Sequence, residues 1–336
     1  MLAPLGPPGP YPRVNLSHAL DRRWLHYAFR SADGRLSFIA NLSILGPSDT
    51  SAAVDPQEMS ILLVHDQAGW ASSQFNADVK GMPWSAFRMP ELGPRLRVGA
   101  PSGAPAVDLD LVRTGRACTS QCAPFATDQH LRWQSEPGII AHGSLSGRAG
   151  VHRDVTLVGY HERVRGHWAW PHLGGWVFGF ANAAAEPGAA PPYAVVFTLI
   201  QPPKPADAAT SSVMLWRRGR LLRHFPRRML EVSVSGLLSR DRVVTSPPLA
   251  ATLGTPPAAQ VPGRLVITAT TATDRLTIDV VSATACRIVN PNELGRAGFS
   301  VHEVLGPCRI SGAVAGLDFD FTAPGVVEFA GGADVD

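Results

Sequence analysis

The chain has 336 residues, of which 45% are hydrophobic and 17% charged, and its formal net charge is +3. That length suits two domains of ordinary size, each with a sizeable core. The small, dispersed charge argues against a nucleic-acid binder, and the lack of any apolar run of about 18 residues argues against a membrane-spanning helix.

Residues 1–13, MLAPLGPPGPYPR, lack a basic region followed by an apolar one. They do not read as a secretory signal. They read as a Pro-rich, disordered lead-in, and the protein is expected in the cytoplasm. There the four cysteines, Cys118, Cys122, Cys286 and Cys308, are expected to be reduced. Cys118 and Cys122 are spaced closely enough to chelate a metal, but no second close pair and no nearby His–x–His follows. No metal is expected, and with no phosphate loop or dinucleotide fingerprint no organic cofactor is expected either.

Trp24 to Leu45 is the clearest hairpin, because Asp33-Gly34 is a strong tight-turn signal between two apolar strands. Leu25, Tyr27 and Phe29 share one face, and Leu36, Phe38, Ala40 and Leu42 share a face of the partner strand. Trp24, His26 and Asn41 point the other way. That second face is either a barrel wall turned towards a ligand or a surface on which His26 and Asn41 meet solvent. Short strands then follow at Met59–His65, Val107–Arg113, His130–Gln134 and Ile139–Leu145. Gly69–Phe75 and Arg88–Val98 read as further short strands or loop crossings, and the stretch from Cys118 to Asp128 is irregular. None has a sustained helical period.

Val151 to Phe180 is the most chemically dense stretch, VHRDVTLVGYHERVRGHWAWPHLGGWVFGF. It begins as an alternating strand, and Gly159, Gly166 and Gly174-Gly175 are read as bends or breaks in it. Aromatic rings, histidines and an acid packed this closely form either an apolar cavity with a few polar groups or the core of a strand pair. Alternation puts Tyr160 and Glu162 on one face and His161 on the other, unless a bulge intervenes.

The Ala/Pro/Gly connector from Glu186 to Pro192 is the expected domain boundary. It divides residues 14–185 from residues 186–336. Beyond it come further strands. They include a hairpin from Val213 to Phe225 across Arg217-Arg218-Gly219, the strand Glu231–Leu238, and a hairpin of Arg264–Thr270 and Arg275–Val281. Phe299–Leu305, Cys308–Gly316 and Val326–Ala330 complete the sheet. Arg217, Arg218, Arg220, Arg223, Arg227 and Arg228 make the first of these hairpins the most basic part of the chain. It is either a solvated edge guarded by charge or a site for an anionic group or a lipid surface. Each half holds enough strands to close a barrel, so the fold class is all-β.

At Gly159-Tyr160-His161-Glu162 the chain resembles the lipocalin-like superfamily of carotenoid 1,2-hydratases, AttH-type proteins and decalin-forming Diels–Alderases. Those proteins carry a motif of the form Gly-Tyr-x-Asp-x-Asn-Trp-Gly. Gly159, Tyr160 and Gly166 fit it, and Glu162 stands at the Asp position. Val164 and Arg165 replace the Asn and Trp. Trp24 to Tyr27 partly matches the family's opening Glu-Trp-Trp-Tyr. The segments His302-Glu303-Val304-Leu305-Gly306 and Gly325-Val326-Val327-Glu328 resemble its last strands. The resemblance implies two consecutive lipocalin-like antiparallel barrels with a ligand cavity in or between them, an apolar, often polyene or isoprenoid substrate, and no organic cofactor.

Three functions follow from this reading. The first, and the one adopted, is a cofactor-independent enzyme that cyclises or isomerises a long unsaturated substrate by holding its reacting carbons together. The second is a hydratase with Glu162 as proton donor, which requires that burial keep the carboxyl protonated. An ion pair of Glu162 with Arg163 or Arg165 would forbid that role. The third is a carrier of an apolar ligand. The expected catalytic residues are Glu162, Tyr160 and His161. The expected substrate contacts are Trp168, Trp170, Trp176, His167, Trp24, His26, Tyr27 and Asn41. The expected partners are a small apolar substrate and a peripheral membrane surface, with no nucleic acid.

Overall fold

The computed structural model describes residues 21–45, 57–78, 95–99, 105–118, 122–126, 129–168, 174–186, 189–201, 210–246, 260–289 and 299–332. The Pro-rich lead-in, Trp170 and His172 lie outside them. Among the described residues there is no α-helix, and strands joined by turns make up nearly all of the backbone.

The chain divides into two compact units. The first comprises Met1–Ser31, Arg35–Arg113 and Thr119–Ala169, and the second Ala32–Gly34, Thr114–Cys118 and Trp170–Asp336. The main transition falls between 169 and 170, ahead of the connector at 186–192. The dense stretch from Val151 to Phe180 is therefore shared between two sheets.

The first sheet holds β1 (Asp21–Arg30), β2 (Ser37–Leu45), β3 (Gln57–Asp66), β4 (Gly69–Asp78), β5 (Arg95–Gly99), β6 (Ala106–Val112), β7 (Cys122–Ala126), β8 (Gln129–Gly147) and β9 (Gly150–His167). Its order is β4-β3-β2-β1-β9-β8-β6-β5, with β7 on β8. The β1–β2 turn contains Asp33-Gly34, with Gly34 at φ 70°, where a residue without Cβ is least strained.

The second sheet holds β10 (Gly175–Asn182), β11 (Tyr193–Gln201), β12 (Thr210–Arg217), β13 (Arg220–Pro226), β14 (Leu230–Leu237), β15 (Val243–Thr245), β16 (Pro262–Thr270), β17 (Arg275–Val281), β18 (Thr284–Val289), β19 (Phe299–Val314) and β20 (Leu317–Gly332). Its main path is β13-β12-β11-β10-β20-β19-β17-β16-β14. In both units, therefore, the opening strand pairs with the closing one, and a long final hairpin forms the middle of the sheet. Pairing is antiparallel except between β15 and β18. These are two lipocalin-like barrel sheets.

Several expected short strands are halves of long ones. His130–Gln134 and Ile139–Leu145 belong to the 19-residue β8, and Phe299–Leu305 and all but the last two residues of Cys308–Gly316 belong to the 16-residue β19. β19 pairs with β20 through Gly306-Pro307 without a register shift, and β8 pairs with β9 continuously through register shifts at Pro137/Ile139 and Gly143/Leu145. Such bulges let a strand bend around a curled sheet without ending.

Each sheet packs one face as an apolar core. In the first unit Tyr27, Phe29, Phe38, Leu62, Leu109 and Ile139 belong to it, with the Phe29 and Phe38 rings stacked at 5.1 Å. In the second, Phe197, Leu215, Phe225, Ile267, Ile278 and Phe329 do so. Full burial of each such side chain is worth roughly 1.5–3 kcal/mol.

Gly159 does not break β9. It lies opposite Phe29 of β1 and Ile139 of β8. A Cβ there would stand 2.2 Å from the Ala28 carbonyl oxygen and 2.5 Å from Phe29 Cγ. The residue supplies space rather than a bend. Gly159→Ala is expected to destabilise the protein by about 1–3 kcal/mol, whereas Gly331→Ala, whose Cβ meets nothing within 4 Å, should change stability by no more than about 0.5 kcal/mol. Urea denaturation of the two variants checks this, and equal midpoints would contradict it.

Candidate active site

Strands β9 and β1 pair without a register shift from Asp21 to Arg30, which sets Glu162 directly opposite His26 and Tyr160 opposite Ala28. On the far side of β1, His26 faces Asn41 of β2, and on the far side of β9, Glu162 faces Ser135 of β8. Directly opposed residues share a face. Asn41, His26, Glu162 and Ser135 therefore form one lateral polar row across four strands. Trp24, Val164 and Trp133 flank it on one side, and Ile39, Ala28 and Tyr160 on the other.

This is the face opposite the apolar core, yet it is buried. His26 is 2% exposed, Glu162 4% and Ser135 1%. Of the two readings of His26 and Asn41, the solvent-facing one fails for His26, and Asn41 is half-buried.

Glu162 accepts a hydrogen bond from the Tyr160 hydroxyl at Oε2 (2.7 Å) and a longer one from Trp24 Nε1 at Oε1 (3.3 Å). Among the described residues no arginine pairs with it, so Arg163 and Arg165 do not hold it ionised. Burial raises its pKa to about 7 from an ordinary 4.5, against the lowering effect of these two hydrogen bonds. Its lateral neighbour His26 supplies no charge, because burial lowers that imidazole to about 4. Tyr160 also lies 2.8 Å from Ser135 Oγ. A phenol has one proton to give, so when Glu162 is protonated its O–H can donate to Tyr160 while Tyr160 donates to Ser135. Ser135 thus ends a short hydrogen-bonded chain that begins at the acid.

His161 stands apart from this set. On regular β9 it points to the core face and stacks on Tyr27 at 4.3 Å. Its Nδ1 lies 2.9 Å from the His26 carbonyl oxygen. Burial takes His161 down to about 3 and raises Tyr27 to about 12. The next position along that row is Glu136, which is 3% exposed and held by Arg113 at 2.5 and 2.6 Å. The expected catalytic trio is therefore split between two faces, with Tyr160 and Glu162 together.

Trp168 is fully buried on the Glu162 side. Its ring meets Trp24 edge-on at 5.6 Å, and Arg22 lies over it at 4.8 Å while donating to the Trp168 carbonyl at 2.7 Å. His167 is partly exposed at the strand end, paired with Asp21 at 2.7 Å. Trp176 lies in β10, in the second sheet. Cys286 and Cys308 are buried free thiols, Cys118 is partly buried, and the side chain of Cys122 is outside the described residues.

Ser135 was absent from the sequence-based candidates, because a lone serine in an apolar strand carries no local signal. The second sheet holds a similar surprise. Glu303 and Glu328 are direct cross-strand neighbours with carboxylate oxygens within 4.8 Å. Separated by 25 positions, they become a pair only through the register of β19 and β20.

The Glu162 titration has a consequence for stability. Its folded pKa lies above the unfolded one, so the native state holds the proton more tightly. Its contribution is fully present below about 4.5, is lost as pH rises to about 7, and is constant above that. The loss amounts to roughly 3 kcal/mol. Glu162→Gln cannot titrate. The stability of the unmodified protein relative to this variant should therefore fall across that window in urea denaturation at stepped pH, and parallel curves would contradict it.

No family profile and no curated protein matches the chain by sequence. Solved structures do match. A protein from Nitrosomonas europaea assigned as an AttH superposes with a TM-score of 0.63 at 14% identity, covering 99% of this chain and all of the other. Kievitone hydratase from Nectria haematococca superposes with a TM-score of 0.57 at 13% identity, covering 97% of each chain. The whole chain therefore has the fold of these lipocalin-like barrel proteins.

Proposed function

We propose that the protein is a hydratase that adds water across a carbon–carbon double bond of an apolar unsaturated molecule, with Glu162 as the proton donor. The observation that carries this reading is a buried carboxyl with no cation beside it among the described residues, raised to about 7. Near neutrality a large share of it is the neutral acid, as protonation of an alkene requires. The likeness to a structure named as a hydratase agrees with the reading and is a likeness of fold.

In the proposed step the Glu162 O–H bond breaks and its proton joins one alkene carbon, leaving a carbocation on the other and a carboxylate on the protein. Water attacks the cation through oxygen and loses a proton, and the carboxylate recovers one. Tyr160, 2.7 Å from Oε2, holds the carboxyl in place and stabilises its ionised form by donating to it. The indole of Trp24, on the same face, presents a π-system to positive charge. Ring closure directed by shape alone is the competing reading. It uses no titrating proton, so it leaves the buried acid without a purpose.

The test is incubation with a panel of linear isoprenoid polyenes, read by mass. A gain of one water is expected, with a rate that declines as pH rises through about 7. Glu162→Gln should lower that rate by roughly 10²–10⁴. Products of unchanged mass that tolerate Glu162→Gln but not Trp168→Ala would favour cyclisation. Binding without conversion would favour a carrier, and full turnover in both folded variants would make this face core packing.

A further inference from the structure

We propose that β14, together with the arginines on either side of it, is a surface on which the second unit docks against an anionic lipid bilayer. β14 ends the path of its sheet and, among the described residues, pairs with β16 alone. Val232 and Val234 lie opposite Ile267 and Leu265, which are core residues exposed by 0% and 1%. Yet Val232 is 45% exposed, and Val234 and Leu237 are 60% exposed. At Val232 and Val234 the apolar face of the sheet thus emerges at its edge, and Leu237, opposite Pro262, adds to the exposed apolar surface.

Edge strands are usually guarded by charge or proline. Residues 232–237, VSVSGL, contain neither. The charges stand just outside. Arg227 and Arg228 precede the strand and Arg240 and Arg242 follow it, all exposed. From 217 to 245 the chain carries eight arginines (217, 218, 220, 223, 227, 228, 240 and 242) against Glu231 and Asp241. Eight minus two is +6, whereas the whole chain carries +3, so the rest sums to −3.

An uncharged aliphatic centre with a cationic rim matches a membrane interface. Valine and leucine enter the acyl boundary, while guanidinium groups bind lipid phosphates. A nucleic acid would call for exposed rings on which bases stack. The larger rings of this region, Trp216 and Phe225, are instead buried at 1% and 0%, which leaves the imidazole of His224 as its exposed ring. The docking surface is independent of the chemistry proposed for Glu162, though a bilayer is where an apolar substrate would dissolve.

The test is co-sedimentation of the full chain with vesicles of phosphatidylcholine alone and of phosphatidylcholine mixed with phosphatidylserine. Retention on the mixed vesicles is expected, weakening as salt rises. Replacing Arg227 and Arg228 by alanine should weaken it by about fivefold per arginine. Val234→Asp with Leu237→Asp should abolish it, with circular dichroism verifying the fold. If that pair disturbs the fold, the arginine variants alone decide the outcome. No retention at low salt, or retention indifferent to these substitutions, overturns the proposal. So does a dimer that the aspartate pair converts to monomer without loss of vesicle binding, or tighter binding to single-stranded RNA than to vesicles.

Discussion

A carboxyl group removed from water stays ionised only where a cation or several donors compensate for the lost hydration. At Glu162 the compensation is one phenol and one distant indole. The nearest titratable neighbour across the strand is a histidine that burial itself keeps neutral. This imbalance follows from register. With β1 and β9 paired as they are, Glu162 shares a face with His26 and Tyr160, while Arg163 and Arg165 point to the other side. A slip of one residue would reverse the environment, because it would exchange every side chain between the two faces.

The two faces of the first sheet therefore do different work. One holds the stacked phenylalanines and aliphatic side chains that keep the unit folded, and places its buried carboxylate, Glu136, in a bidentate pair with Arg113. The other holds Glu162, which no cation pairs with among the described residues. Two glutamates, both almost fully buried and on neighbouring strands, thus differ in whether a counterion meets them. The first is held by a guanidinium, and burial raises the second to about 7. The second unit repeats the strand order, with its opening strand beside its closing one, without a repeat visible in the amino acids. The shared element is a way of closing a curled sheet, which many sequences satisfy.

Much of this was legible in advance where the signal is local. Asp33-Gly34 marks the first hairpin, Arg218-Gly219 lies in a turn with φ 47° and 73°, and alternation placed Tyr160 with Glu162. What was not legible depends on partners far along the chain. Gly159 reads as a break until Phe29 is seen across from it. His26 reads equally well as a surface residue until both faces of β1 prove to be covered. Ser135, Glu303 and Glu328 acquire meaning only from cross-strand register. The Ala/Pro/Gly connector reads as a link between domains, whereas it joins β10 to β11 within one sheet. Composition distinguishes a loop from a strand, but not a loop inside a unit from a link between units.

The protonation of one carboxyl decides whether the proposed chemistry is available. Infrared difference spectra between the protein and its Glu162→Gln variant, recorded through a pH titration, isolate that group by its C=O stretch. A protonated carboxylic acid is expected to persist above pH 6 and to disappear with a midpoint near 7. A carboxylate already fully formed at pH 5 would contradict it.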